Sequence, residues 1–169
     1  MSSVYEAIKN RRSIRKYEDK PVEKATVEKL LRAAMQAPSA GNQQPWEFIV
    51  VENKETLAQM ANVSPYATPL KNAAVSIIVL VNKDSLRFPS YWQQDLAAAT
   101  QNLLLEAAEL GLGAVWLGIA PEEDRMQFLK ELFQLPQGVE AFAALAIGYS
   151  SENQFVDRFD AARIHYEKY

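Results

Sequence analysis

The chain has 169 residues, 49% of them apolar and 23% charged, and carries a net charge of -3 at pH 7. That balance suits one globular domain over residues 1–169 with a sizeable core, and it supplies no global basic field for nucleic acid or anionic membrane. The absence of cysteine and the presence of a single histidine, His165, leave no basis for disulfides or for a thiolate or multi-histidine metal centre.

In chain order, residues 3–10 read as a short helix that ends in a basic run, Arg11, Arg12, Arg15 and Lys16. The N-terminal stretch lacks the basic-then-apolar layout of a signal peptide, so the expected location is the cytoplasm. "TVEKLLRAAMQA" (26–37) predicts an amphipathic helix with Thr26 as N-cap, stopped by Pro38. "SAGNQQP" has loop chemistry, and "WEFIVVE" follows as a strand. "KETLAQMA" reads as a short helix and "AAVSIIVLV" as a strand apolar on both faces, too short to span a membrane. A long helix from Ser90 ends at Gly111 as a cap. Its alanines, Ala97 to Ala99 and Ala107 to Ala108, allow close helix approach, either within the core or across a subunit interface. "AVWLGI" predicts a strand, "PEEDRMQFLKELF" a helix opened by Pro121 and acids, and "AFAALAIGY" a fourth strand. The polar tail from Ser150, with scattered aromatics, suits a segment lying across a surface. Helices and strands out of strict alternation make an α+β sandwich.

No G-x-S-x-G, cysteine or core histidine offers an activated nucleophile, and His165 reads as a packing or surface residue. "GLGAVWLG" has the wrong spacing for a dinucleotide fingerprint, and no Walker motif is present. The basic run admits two readings. If extended, it projects Arg11, Ser13 and Arg15 to one side as a grip for phosphate; otherwise it neutralises a helix end and faces solvent. A nucleic-acid role is disfavoured by the lack of interleaved aromatics. In the second stretch, "APSAGNQQPWEF", small residues Ser39, Ala40 and Gly41 admit a ligand near the backbone, while Asn42 and Gln44 suit the polar edge of a heteroaromatic ring. A turn closed by local hydrogen bonds is the alternative.

"RRSIRKY" followed by a helix and "APSAGNQQPW" resembles the flavin-dependent nitroreductase family, and the likeness continues through "NAAVSIIV", the 91–119 stretch and "ALAIGYS". The resemblance implies an α+β homodimer with a mainly antiparallel sheet flanked by helices and flavin mononucleotide (FMN) at the subunit interface. It implies phosphate and ribityl contacts by Arg11, Arg12 and Ser13. Arg15 is implied at the N1/C2-carbonyl edge, where a cation offsets charge on reduction. Pro38, Ser39, Ala40, Asn42 and Gln44 match a cofactor loop supplied by the second subunit, and Trp116, Leu117 and Gly118 a strand end near the flavin N5. Arg158 or Arg163 matches a tail residue on the phosphate. The implied activity is ping-pong reduction of nitroaromatic or quinone-like acceptors by NAD(P)H. The alternatives are a reductive dehalogenase, a flavin-processing enzyme or a flavin-binding protein without turnover. Neither nucleic acid nor membrane is an expected partner.

Overall fold

The computed structural model describes residues 3–152 and 156–169. Five α-helices are described: α1 (Val4–Asn10), α2 (Lys24–Met35), α3 (Lys54–Met60), α4 (Trp92–Glu109) and α5 (Glu123–Leu132). Four strands, β1 (Trp46–Val51), β2 (Val75–Asn82), β3 (Leu112–Gly118) and β4 (Val139–Tyr149), form one sheet in the order β1-β2-β4-β3. Every strand pair in it is antiparallel. No helix among the described residues is long and apolar enough to cross a membrane.

The α+β sandwich expected from the sequence is the observed architecture. The central strand β2 is apolar on both faces because both faces are covered. On one side Ile77, Val79 and Leu145 pack with Leu30 of α2 and Leu103 of α4. On the other, Ile78, Leu80 and Ala144 pack with Leu57 of α3 and Leu129 of α5. Each of the buried leucines, isoleucines and valines among these contributes about 1.5–3 kcal/mol relative to exposure. The alanines of α4 serve this core: Ala99 and Ala107 are fully buried, and the Asn102 side chain donates to the Ala33 carbonyl of α2 at 3.2 Å.

Three helix starts differ from expectation; α4, read from Ser90, begins at Trp92 after a short 3-10 turn at Pro89–Tyr91. The first turn of α2 begins at Lys24, with Glu23 as N-cap and no side-chain cap bond, so Thr26 lies inside the helix. Buried Val22 anchors the chain just ahead of it and lets the helix begin earlier than its polar signal. Pro121 precedes the N-cap Glu122 of α5 and so stands outside the helix, which its acids open. Helix α1 has the capping box its sequence offers, Ser3 with Glu6.

The residues after α1 lie along the outer edge of the sheet. The Ile14 N–H donates to the Ala114 carbonyl of β3 at 2.9 Å, making a parallel bridge at Ser13, and the Glu18 N–H donates to the Tyr149 carbonyl at 2.8 Å. The Tyr17 hydroxyl lies 2.6 Å from the Ile14 carbonyl and 2.8 Å from that of Ala146, and burial pushes this phenol above its ordinary pKa. Glycine is required where the segment crosses β3. A Cβ on Gly113 would stand 2.5 Å from Ile14 Cγ2.

Candidate functional site

Strand β3 is an edge strand, and among the described residues Ser13 and Ile14 cover part of its free side. Because Ala114 turns its carbonyl to that side, Trp116 and Gly118, in the same register, also turn their N–H and C=O groups outward. Two cavities flank the Ser13–Ala114 bridge. One, of about 460 Å³, is lined by Arg11, Arg12, Gly111 and the start of β3 to Ala114, and Ser150 to Glu152. The other, of about 430 Å³, is lined by Arg15, Trp116, Leu117, Gly118, Arg125 and the 64–69 turn. Trp116 is braced edge-to-face on Phe142 at 5.5 Å, and Phe142 on Trp92 at 5.9 Å.

The sequence offered Arg11, Ser13 and Arg15 as a grip on one side of the segment if it is extended. The segment is extended, but its bridge to β3 and buried Ile14 divide the edge, so Arg11 and Arg15 face different cavities. Arg11 is joined by other cations. Its pKa is lowered, first by burial and then by the charges of Arg158 and Arg12. Among the described residues, no carboxylate forms an ion pair with Arg11 or Arg158. Arg12 donates to the carbonyls of Arg11 at 2.6 Å and Val156 at 3.1 Å, tying the returning tail to the cluster. Arg163 is engaged elsewhere, on Asp160 at 3.2 Å. His165 stacks on Tyr169 with ring centroids 4.2 Å apart.

The 38–44 loop lines neither cavity within one chain. It folds against the start of α4, where Asp95, only 4% exposed, accepts the Ala40 N–H at 2.8 Å and the Gln43 side-chain amide at 2.6 Å. The Gln43 carbonyl oxygen in turn accepts the backbone N–H groups of Arg87 and Phe88. Gln44 donates its N–H to Ser39 Oγ and its amide to Asn42 Oδ1. Gly41, Asn42 and Gln44 all have positive φ, at 53°, 55° and 46°. Such a backbone persists only when its surroundings hold it, and the result is a rigid, exposed polar loop. Pro38, Asn42 and Gln44 are exposed, while Ser39 and Ala40 are half-buried.

Sequence reasoning missed Asp95, Gln43 and Arg125. Asp95 heads a buried stripe with Ala99 and Leu103, and an acid on an apolar helix face was the available signal. Arg125 donates to the Gly118 carbonyl at 2.9 Å and carries no comparable sequence mark.

Known proteins resemble this chain along most of its length. The profile of the Nitroreductase family matches residues 8–67 and 63–149. A protein of Methanothermobacter thermautotrophicus, provisionally described as an NADH dehydrogenase or NAD(P)H nitroreductase, is 47% identical over 98% of this chain and 87% of its own. A solved structure from Clostridium acetobutylicum, provisionally described as an NADH oxidase, is 54% identical, with a TM-score of 0.95 over 96% of this chain and 99% of that one. A structure from Desulfovibrio desulfuricans in complex with FMN, provisionally described as a nitroreductase, is 31% identical, with a TM-score of 0.85 over 99% and 98% of the two chains. With the match running through both the arginine segment and the edge strand it crosses, the chain belongs to the nitroreductase family.

Proposed function

We propose that this protein is a cytoplasmic, FMN-dependent oxidoreductase that uses NAD(P)H to reduce nitroaromatic or quinone-like acceptors by ping-pong turnover. One observation carries the reading. Arg11 and Arg158, neither ion-paired among the described residues, gather with Arg12 at the first edge-strand cavity, across the Ser13–Ala114 bridge from the one lined by Arg15 and Gly118. Like charges held together disfavour one another, and a phosphate dianion relieves that cost through charge-assisted, fork-like hydrogen bonds. The donor set therefore fits FMN, the ligand of the Desulfovibrio relative.

Arg11, Arg12 and Arg158 would hold the phosphate, and Ser13 the ribityl chain. Trp116, Leu117 and Gly118 would flank the ring through the open backbone edge. When bound, FMN supplies two-electron chemistry, taking hydride from NAD(P)H and passing it to the oxidised acceptor. Arg15 favours the charge that reduction places on the ring's carbonyl edge. Pro38, Ser39, Ala40, Asn42 and Gln44 act from a second copy of the chain, because within one copy they lie apart from both cavities. A homodimer also explains α1, which has no buried residue and exposes Val4, Tyr5 and Ile8.

The visible spectrum of the purified protein, followed by heat release and chromatography, tests the cofactor. Released FMN, together with acceptor-stimulated NAD(P)H oxidation giving parallel double-reciprocal lines, is the expected result. A colourless protein that takes up no added FMN refutes the reading. Bound FMN without acceptor-stimulated turnover leaves a flavin-binding protein in its place.

A further inference from the structure

The cavity at the end of β3 holds a second guanidinium for which the ring edge has no use. Arg125, half-buried in the first turn of α5, spends one N–H on the Gly118 carbonyl at 2.9 Å. Its guanidinium makes no other hydrogen bond and no ion pair among the described residues. The neighbouring acids Glu122, Glu123 and Asp124 are exposed, and Asp124 Oδ1 accepts the Arg125 backbone N–H rather than its side chain. The rim of the same cavity carries Tyr66, 75% exposed, and Pro65, with Trp116 behind the strand edge. A tethered guanidinium beside flat apolar walls is the chemistry that recognises an aromatic acid: the walls take the ring and the fork takes the carboxylate.

We propose that Arg125 and Tyr66 form a subsite for the carboxylate end of an aromatic electron acceptor, so that benzoate-like acceptors are preferred over neutral ones. The inference rests on the flavin reading above. The acceptor, rather than the nicotinamide donor, is the favoured source of the anion. The walls that share the cavity with Arg125, those of Pro65 and Tyr66, suit an anion borne on a ring, as in an aromatic acid, rather than a pyrophosphate between two sugars.

The absorbance of the purified protein is read first: absence of FMN refutes the flavin reading, and this subsite with it. On the FMN-loaded protein, benzoate and benzamide, neither of which is reduced, are titrated against the bound-flavin spectrum and in equilibrium dialysis. Benzoate should bind about tenfold tighter, the factor one charge-assisted hydrogen bond supplies. Arg125→Gln should bring the two affinities within about twofold, while Arg125→Lys, which keeps the charge, should retain most of the preference. The ratio of kcat/KM for 4-nitrobenzoate over 4-nitrobenzamide should follow the same order. Retained flavin absorbance shows that each variant is folded. A wild-type protein without the preference, or a preference intact in Arg125→Gln, overturns the proposal. So does an Arg125→Gln effect confined to the KM of NADH or NADPH, which would assign the cation to the donor.

Discussion

Arg158 bears on Arg11 from the returning tail, whereas Arg163 is satisfied by Asp160 in its own turn. The two are equivalent by residue type and close in sequence, so spacing left the choice open. The fold favours the first, because of the two only its charge reaches the cation cluster. Arg158→Ala should therefore weaken FMN binding at least about tenfold, the loss of one or more charge-assisted bonds, whereas Arg163→Ala should change it by no more than about twofold. Fluorescence titration of the apoprotein with FMN reads both, and equal effects would remove Arg158 from the proposed phosphate site. Arg11, Arg12, Ser13 and Arg15 were legible as a group because they are close together in the chain. Their division between two cavities was not, since it depends on a hydrogen bond from Ile14 to a strand far along the chain.

The 38–44 loop shows what an element borrows from its neighbours. Its composition marked it as a turn, yet its shape depends on Asp95, a carboxylate from α4 buried at the loop's base. Asp95→Asn keeps an acceptor for Ala40 but sets an amide against the Gln43 amide. It should cost about 2 kcal/mol in urea unfolding and weaken FMN binding. Adding Gln43→Glu supplies an acceptor both for the amide introduced on α4 and for the Arg87 and Phe88 N–H groups, and should recover part of both losses. Additive damage in the double variant would show that Asp95 and Gln43 do not act as a pair. The helices and strands themselves were legible from periodicity, with the starts of α2 and α5 displaced because Val22 packing and the acids of α5 outweighed the Thr26 and Pro121 signals.

At the scale of the whole molecule, one copy leaves its proposed site incomplete. The loop is on one part of the surface, the arginines are on another, and α1 and the described tail residues 156–169 expose Tyr5, Ile8, Phe159 and Tyr166. Light scattering should give twice the chain mass of 19.0 kDa. Ile8→Glu, which places a charge on the bare face of α1, should shift the protein towards monomer and release FMN in parallel. Monomer that holds FMN as tightly as wild type would show that the site needs no second copy.

Composition, hydrophobic period and two short motifs were enough for the fold class, the order of helices and strands, and the choice of candidate segments, because those properties are local to a few consecutive residues. Tertiary structure alone decided that Arg11 and Arg15 line different cavities at the edge of β3, that the charge of Arg158 bears on Arg11, that Arg125 lines the second cavity, and that Asp95 holds the loop. Each of these depends on groups distant in the chain meeting across a packed sheet, and no local pattern encodes such a meeting.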